Sequence, residues 1–107
     1  MIGVGNSSGN KLMFRTRSTT TGVPFSTYGS AFTAPYWFKL VRSGSTVTGY
    51  TSSNGTSWAQ LGSPWTIPGT PPPTTLSAGM AVTSGNTGCL STDATIAVFD
   101  SVTITNP

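Results

Sequence analysis

Aromatic and amide side chains are the groups in this sequence best suited to binding a ligand. All three tryptophans and two of the three tyrosines lie between residues 35 and 65. Aromatic faces pack against the C–H groups of sugar rings with few rotors to freeze, and amide or guanidinium groups bond hydroxyls. The candidate ligand-binding residues are Trp65, Tyr50, Trp58 and Tyr36, with Asn54, Gln60 and Arg42 as polar partners.

Each tryptophan also has a purely structural interpretation. Trp37 begins a strand that is apolar on both faces, so we expect it in the core. Trp58 follows an Asn-Gly turn, where it either pins the hairpin by cross-strand packing or contacts a ligand. Trp65 is flanked by Pro64 and Pro68 and is the best candidate for an exposed platform.

The residue inventory argues against catalysis. The sequence has no histidine and no glutamate, and its two acidic residues are Asp93 and Asp100. Glycosidases ordinarily need two carboxyl groups at a set separation, and a serine nucleophile needs a base. Asp100 lies inside a strand pattern, where we expect it to accept backbone hydrogen bonds at a bulge. The sequence therefore predicts a protein that is not an enzyme.

Metal sites have few ligands to draw on. One cysteine, Cys89, and no histidine cannot make a zinc site. A calcium site would use Asp93 and Asn86 with backbone carbonyls. No other cofactor is expected.

The charge pattern speaks against nucleic acid as a partner. The formal net charge is +3, and the basic residues are spread over two segments, 11–17 and 39–42. Nucleic-acid binding needs a dense basic face that displaces counterions. We therefore interpret these cations as solvated charges on strand faces.

Composition predicts one globular all-β domain over residues 1–107. Charged residues make up 7%, Gly and Pro number 13 and 8, and β-branched and aromatic residues are common. No stretch is long and apolar enough to span a membrane. The first residues lack the basic-then-apolar order of a signal peptide. The Ser, Thr, Gly and Asn content is nevertheless typical of extracellular or cell-surface modules. We expect the chain to be part of a longer secreted protein.

Period-two alternation predicts the strands. The first two form a hairpin, and those between 36 and 65 form an antiparallel meander. We expect strand 36–43 in the middle of a sheet, because both its faces are bulky and apolar. Asn54-Gly55 predicts a type I′ turn. Residues 19–33 are expected to be loop with a short edge strand, and the prolines of 68–73 to cross between sheets. The predicted strands are 2–5, 11–18, 36–43, 46–52, 57–65, 76–83 and 94–105.

Four motifs resemble the C-terminal half of concanavalin A-like, laminin G-like jelly-roll modules of secreted bacterial proteins. A Trp-led strand ends in an Arg-Ser-Gly turn at 37–44, and a tyrosine strand with an Asn-Gly hairpin ends in Trp at 50–58. A Gly-x-Ala-Val-Thr-Ser strand follows at 79–84 and a Phe-Asp-x-Val ending at 99–102.

This resemblance implies an antiparallel β-sandwich, jelly-roll-like, that binds polysaccharide or oligosaccharide. The paired glutamates of the superfamily's glycosidases are absent, so the implied role is non-catalytic. The family's N-terminal strands have no counterpart here, which leads us to expect a truncated sandwich completed by a homodimer or larger assembly. The alternative is a structural or adhesive self-assembling domain with no glycan ligand. The exposure of the tryptophans discriminates between the two.

Overall fold

The computed structural model of the chain describes residues 1–6, 10–81 and 97–105. The chain divides into two compact units, Met1–Leu76 and Ser77–Pro107. In the described ranges all regular elements are strands, and no helix there is long and apolar enough to cross a membrane. The prediction of a single domain over 1–107 stays a prediction. The strands are β1 (Ile2–Asn6), β2 (Asn10–Thr16), β3 (Phe25–Ala31), β4 (Trp37–Ser43), β5 (Thr46–Ser52), β6 (Ala59–Gln60) and β7 (Trp65–Thr66).

The first unit contains two antiparallel sheets. The first sheet has the order β1-β2-β3, with Ile2 opposite Phe14. The second has the order β4-β5-β6, and β7 pairs with the other end of β5, with Trp65 opposite Val47. The predicted first hairpin and the predicted meander are both confirmed.

The stretch 19–33 was expected to be loop with a short edge strand; the edge strand is confirmed as β3, which is longer than expected. It is a seven-residue strand at the edge of the first sheet among the described strands, and it begins directly after Pro24. Its register against β2 shifts between Lys11 and Met13, which places both Gly29 and Ser30 opposite one residue of β2. A β-bulge of this kind breaks the alternation on which sequence prediction of strands depends.

The predicted strand 57–65 is interrupted. Only its ends pair as β6 and β7, and between them Leu61 N–H donates to the Gly49 carbonyl at 2.9 Å. Gly62 has a φ of 74°, a left-handed conformation that ends regular pairing. Pro64 supplies no N–H to a ladder. The strand therefore bends between its two short halves.

The two sheets pack face to face, which confirms the predicted β-sandwich. Leu12 and Phe14 of the first sheet and Leu61 beside β6 form the buried cluster. Burying such side chains is the main favourable contribution to folding. The half-buried side chains packed against this cluster are Ile2, Phe32, Tyr36, Phe38 and Trp65.

Two glycines set how closely the sheets approach. A Cβ added to Gly49 would lie 3.0 Å from Phe14 Cδ2 and 3.1 Å from Ile2 Cδ1. A Cβ added to Gly29 would lie 2.9 Å from Leu61 Cδ1. Each sheet thus presents a glycine where the other presents a large apolar side chain.

The sandwich is open on the side formed by β1 and β4. Val4 and Leu40 lie opposite Leu12 and Gly49, so both point toward the space between the sheets. They are nevertheless 46% and 48% exposed. Among the described strands β4 pairs with β5 alone, so the predicted central position of 36–43 is wrong for this part of the chain. Its second apolar face lies on the protein surface instead of under another layer.

The two predicted C-terminal strands are not formed in their described parts, 76–81 and 97–105. Asp100 Oδ1 accepts the Ser101 N–H at 2.6 Å, and Ser101 has a φ of 54°. Such local side-chain bonds compete with strand pairing. Asp100 therefore accepts a backbone hydrogen bond as predicted, but at a bend outside a strand. Residues 82–83 and 94–96 lie outside the described residues.

We predict that Gly49→Ala destabilises the protein by about 1–3 kcal/mol, because the added methyl overpacks the space beside Phe14. Gly3→Ala is the matched control, since a Cβ there meets nothing within 4 Å. Urea unfolding of both variants measures the difference. Equal stability of the two variants would contradict the packing described here.

Candidate ligand-binding surface

Five residues with aromatic, ammonium or amide side chains lie on the solvent side of the second sheet. Phe38 and Gly49 point inward, so their neighbours along each strand point outward. Lys39 lies directly opposite Tyr50, and Tyr50 lies opposite Gln60, so these residues are on one face. We call this surface the outer aromatic face, and its members are Trp37, Lys39, Tyr50, Trp58 and Gln60.

Lys39 contacts two aromatic rings of this face. Its Nζ lies 4.3 Å from the ring centroid of Trp58 and 5.1 Å from that of Tyr50. A cation over an aromatic ring contributes about 0.5–1 kcal/mol at exposed sites. The ammonium thus links β4 to β5 and to the residue that precedes β6.

Trp37 lies on the surface, so its predicted core position is wrong. It is 37% exposed. A Cβ added to Gly55 would lie 3.1 Å from its Nε1, so the indole rests against the β5–β6 loop. The strand has bulky residues on both faces, and Phe38 on the opposite face is the one that packs against the core.

Asn54 shapes the loop beside this face. Its Oδ1 accepts the N–H groups of Thr56 and Ser57 at 3.0 and 2.8 Å. The buried Ser52 Oγ accepts those of Asn54 and Gly55. Gly55 has a φ of 75°, and Asn54 is not among the positive-φ residues of the described chain. The predicted type I′ turn, which needs two such residues, is therefore wrong, and Asn54 acts through its side chain.

Arg42 and Tyr36 lie apart from the outer aromatic face. The Arg42 guanidinium donates to the carbonyls of Gly44 at 2.8 Å, of Thr74 at 3.1 Å and of Pro73. It therefore ties the proline-rich segment to β4. Tyr36 packs with its ring edge-on to Phe32, at 5.5 Å between centroids, beside the buried cluster.

Trp65 lies away from the outer aromatic face, in the wall of an open cleft of about 280 Å³. The cleft opens between the two sheets beside β3. Phe25, at 72% exposure, lies in its wall. It was not among the predicted site residues, because it falls in the stretch expected to be loop with a short edge strand. Trp65 is half-buried, so it is less exposed than the predicted platform. The cleft wall includes Phe14, Thr16, Phe25, Thr27, Ser63 and Trp65.

The two calcium candidates, Asp93 and Asn86, lie outside the described residues. Within the described ranges no group of three His, Cys, Asp or Glu side chains is close enough to hold a metal ion. The calcium site stays a prediction.

We predict that Asn54→Ala lowers the free energy of unfolding by about 1 kcal/mol, because two loop N–H groups lose their acceptor. Asn54→Asp keeps the oxygen and should stay close to the parent protein. Thermal unfolding of both variants tests this. A loss of ligand affinity in Asn54→Ala at unchanged stability would assign the side chain to binding instead.

Comparison with known proteins leaves the family open. No protein-family model, no curated protein and no solved structure matches this chain. The resemblance to concanavalin A-like modules therefore stays a prediction, and the function has to be inferred from the surface described above.

Proposed function

We propose that the chain is a non-catalytic carbohydrate-binding module whose outer aromatic face contacts a polysaccharide or oligosaccharide. One observation carries the proposal. Trp37, Tyr50 and Trp58 are all partly exposed on the same face of one sheet. Aromatic rings exposed on one face of a sheet offer surfaces against which sugar rings can pack.

The physical chemistry of this face suits a sugar chain. Aromatic rings offer a large contact area at low entropic cost, and their faces favour the polarised C–H groups of a pyranose. The exposed Gln60 donates from Nε2 to the Gly62 carbonyl at 2.8 Å, which fixes the amide. Its Oε1 is then oriented to accept a hydrogen bond from a sugar hydroxyl.

The proposal extends to family and location. The motifs at 37–44 and 50–58 and the sandwich fold support a concanavalin A-like, jelly-roll-like module. Low charge supports an extracellular or cell-surface setting within a polysaccharide-active or adhesive protein. The sequence has no histidine and no glutamate, which supports binding without catalysis.

We predict that Trp58→Ala weakens oligosaccharide binding about tenfold, because truncating a tryptophan at the centre of an interface removes most of its contact area. Phe25→Ala is the matched control, since it removes an exposed aromatic from the other sheet. A glycan array identifies a binding oligosaccharide, and isothermal titration calorimetry then compares the variants. Loss of binding in Phe25→Ala alone would move the site to the cleft of Trp65.

Self-assembly is a second candidate function, supported by the open side of the sandwich. Val4 and Leu40 point between the sheets yet are about half exposed. Apolar side chains aimed at a core and left in contact with water favour a partner that covers them. We propose a homodimer in which the second copy covers this side.

We predict that Leu40→Glu converts this dimer to a monomer, because a carboxylate cannot be buried unpaired at the interface. Leu76→Glu is the control, since Leu76 is equally exposed at 47%. Light scattering coupled to size-exclusion chromatography measures the mass, and circular dichroism confirms folding. A folded monomer in the parent protein at high concentration would refute the homodimer.

A further inference from the structure

We propose that Lys39 makes the outer aromatic face selective for glycans that carry carboxylate groups, that is, for chains containing uronic acid residues. The proposal rests on the proposed function and adds the ligand class. It rests on three features of the unit Met1–Leu76: its charge, the contacts of its cations, and the place of the ammonium among the rings.

The unit Met1–Leu76 has no acidic side chain. The chain's two carboxylate residues, Asp93 and Asp100, both come later in the sequence, so the first 92 residues contain five cations and no Asp or Glu. Lys39 consequently has no neighbouring carboxylate within its own unit. A partly buried cation that has no carboxylate in its own unit is attractive to an anionic ligand.

The arginines of the same unit are engaged in ways that Lys39 is not. Arg15 donates to Ser26 Oγ, Arg17 to the Thr20 carbonyl, and Arg42 to three carbonyls. Within the described part of the chain, Lys39 instead lies against the ring faces of Tyr50 and Trp58. Ring faces position an ammonium but accept no conventional hydrogen bond from its three donors.

The position of the ammonium favours a uronate over a neutral sugar. It lies over one face of each ring, so a sugar that packs on the outer aromatic face lies beside the charge, and a neutral sugar offers it only hydroxyl oxygens. A uronate has its carboxylate attached directly to the sugar ring. When that ring packs on the outer aromatic face, the carboxylate reaches the ammonium where it stands and accepts a charge-assisted hydrogen bond.

The test compares one glycan with and without its charge. Oligogalacturonide and its fully methyl-esterified form are titrated calorimetrically into the full chain at low salt. The acid form should bind about fivefold more tightly, the upper end for an exposed ion pair. Lys39→Met should remove this preference while keeping an unbranched side chain against the rings, and Lys39→Arg should retain it.

A second variant controls for net charge. Lys11→Met removes the same charge from the other sheet, and there the preference should persist. A sulfated neutral oligosaccharide tests whether any anion suffices, and we expect it to bind more weakly than the uronide because its sulfate is held on an exocyclic oxygen. Thermal unfolding confirms that each variant is folded.

The outcomes separate this inference from the proposed function. Three results would overturn the role of Lys39 while leaving glycan binding unaffected. They are equal affinity for the acid and ester forms, a preference for the acid form that survives Lys39→Met, and a preference lost equally in Lys11→Met. Tighter binding of the sulfated sugar overturns the assignment to uronic acids. Binding of none of these glycans, together with a silent glycan array, overturns the proposed function itself.

Discussion

The contact of Phe14 with Gly49 is the constraint on which the sandwich depends. Phe14 lies on the middle strand of the first sheet, and Gly49 lies on the middle strand of the second. Because Gly49 has no side chain, the phenyl ring reaches the backbone of the opposite sheet. Leu61 and Gly29 repeat the arrangement with the sheets exchanged. Each sheet therefore places a glycine opposite a large side chain from the other sheet, which allows the close packing found in protein interiors.

This inward contact also determines the outward surface. Side chains alternate along a strand, so fixing Gly49 inward forces Tyr50 outward, and pairing then places Lys39 beside it. A slip of one residue between β4 and β5 would exchange the two faces and bury the lysine. The outer aromatic face is thus a consequence of core packing.

Local pattern predicted what local interactions determine. Alternation predicted β2, β4 and β5, and the inventory of titratable groups limited the chemistry. Alternation predicted the wrong location for Trp37, because a strand with two apolar faces does not reveal which face is covered. Alternation underestimated the length of the predicted edge strand β3, where a bulge at Gly29 breaks the period. It failed at 97–105, where the Asp100 side chain bonds its neighbour's backbone in place of a strand partner.

The proposed glycan-binding residue and the proposed dimer-contact residue of the first unit lie on opposite faces of the same strand. Lys39 projects outward from β4, while the adjacent Leu40 projects between the sheets. A second copy that covered Leu40 would therefore leave the ammonium and its aromatic neighbours accessible. Glycan binding and self-association are thus compatible on one strand. A dimer would also present two outer aromatic faces, and a polymeric uronide spanning both would gain avidity without a new kind of contact.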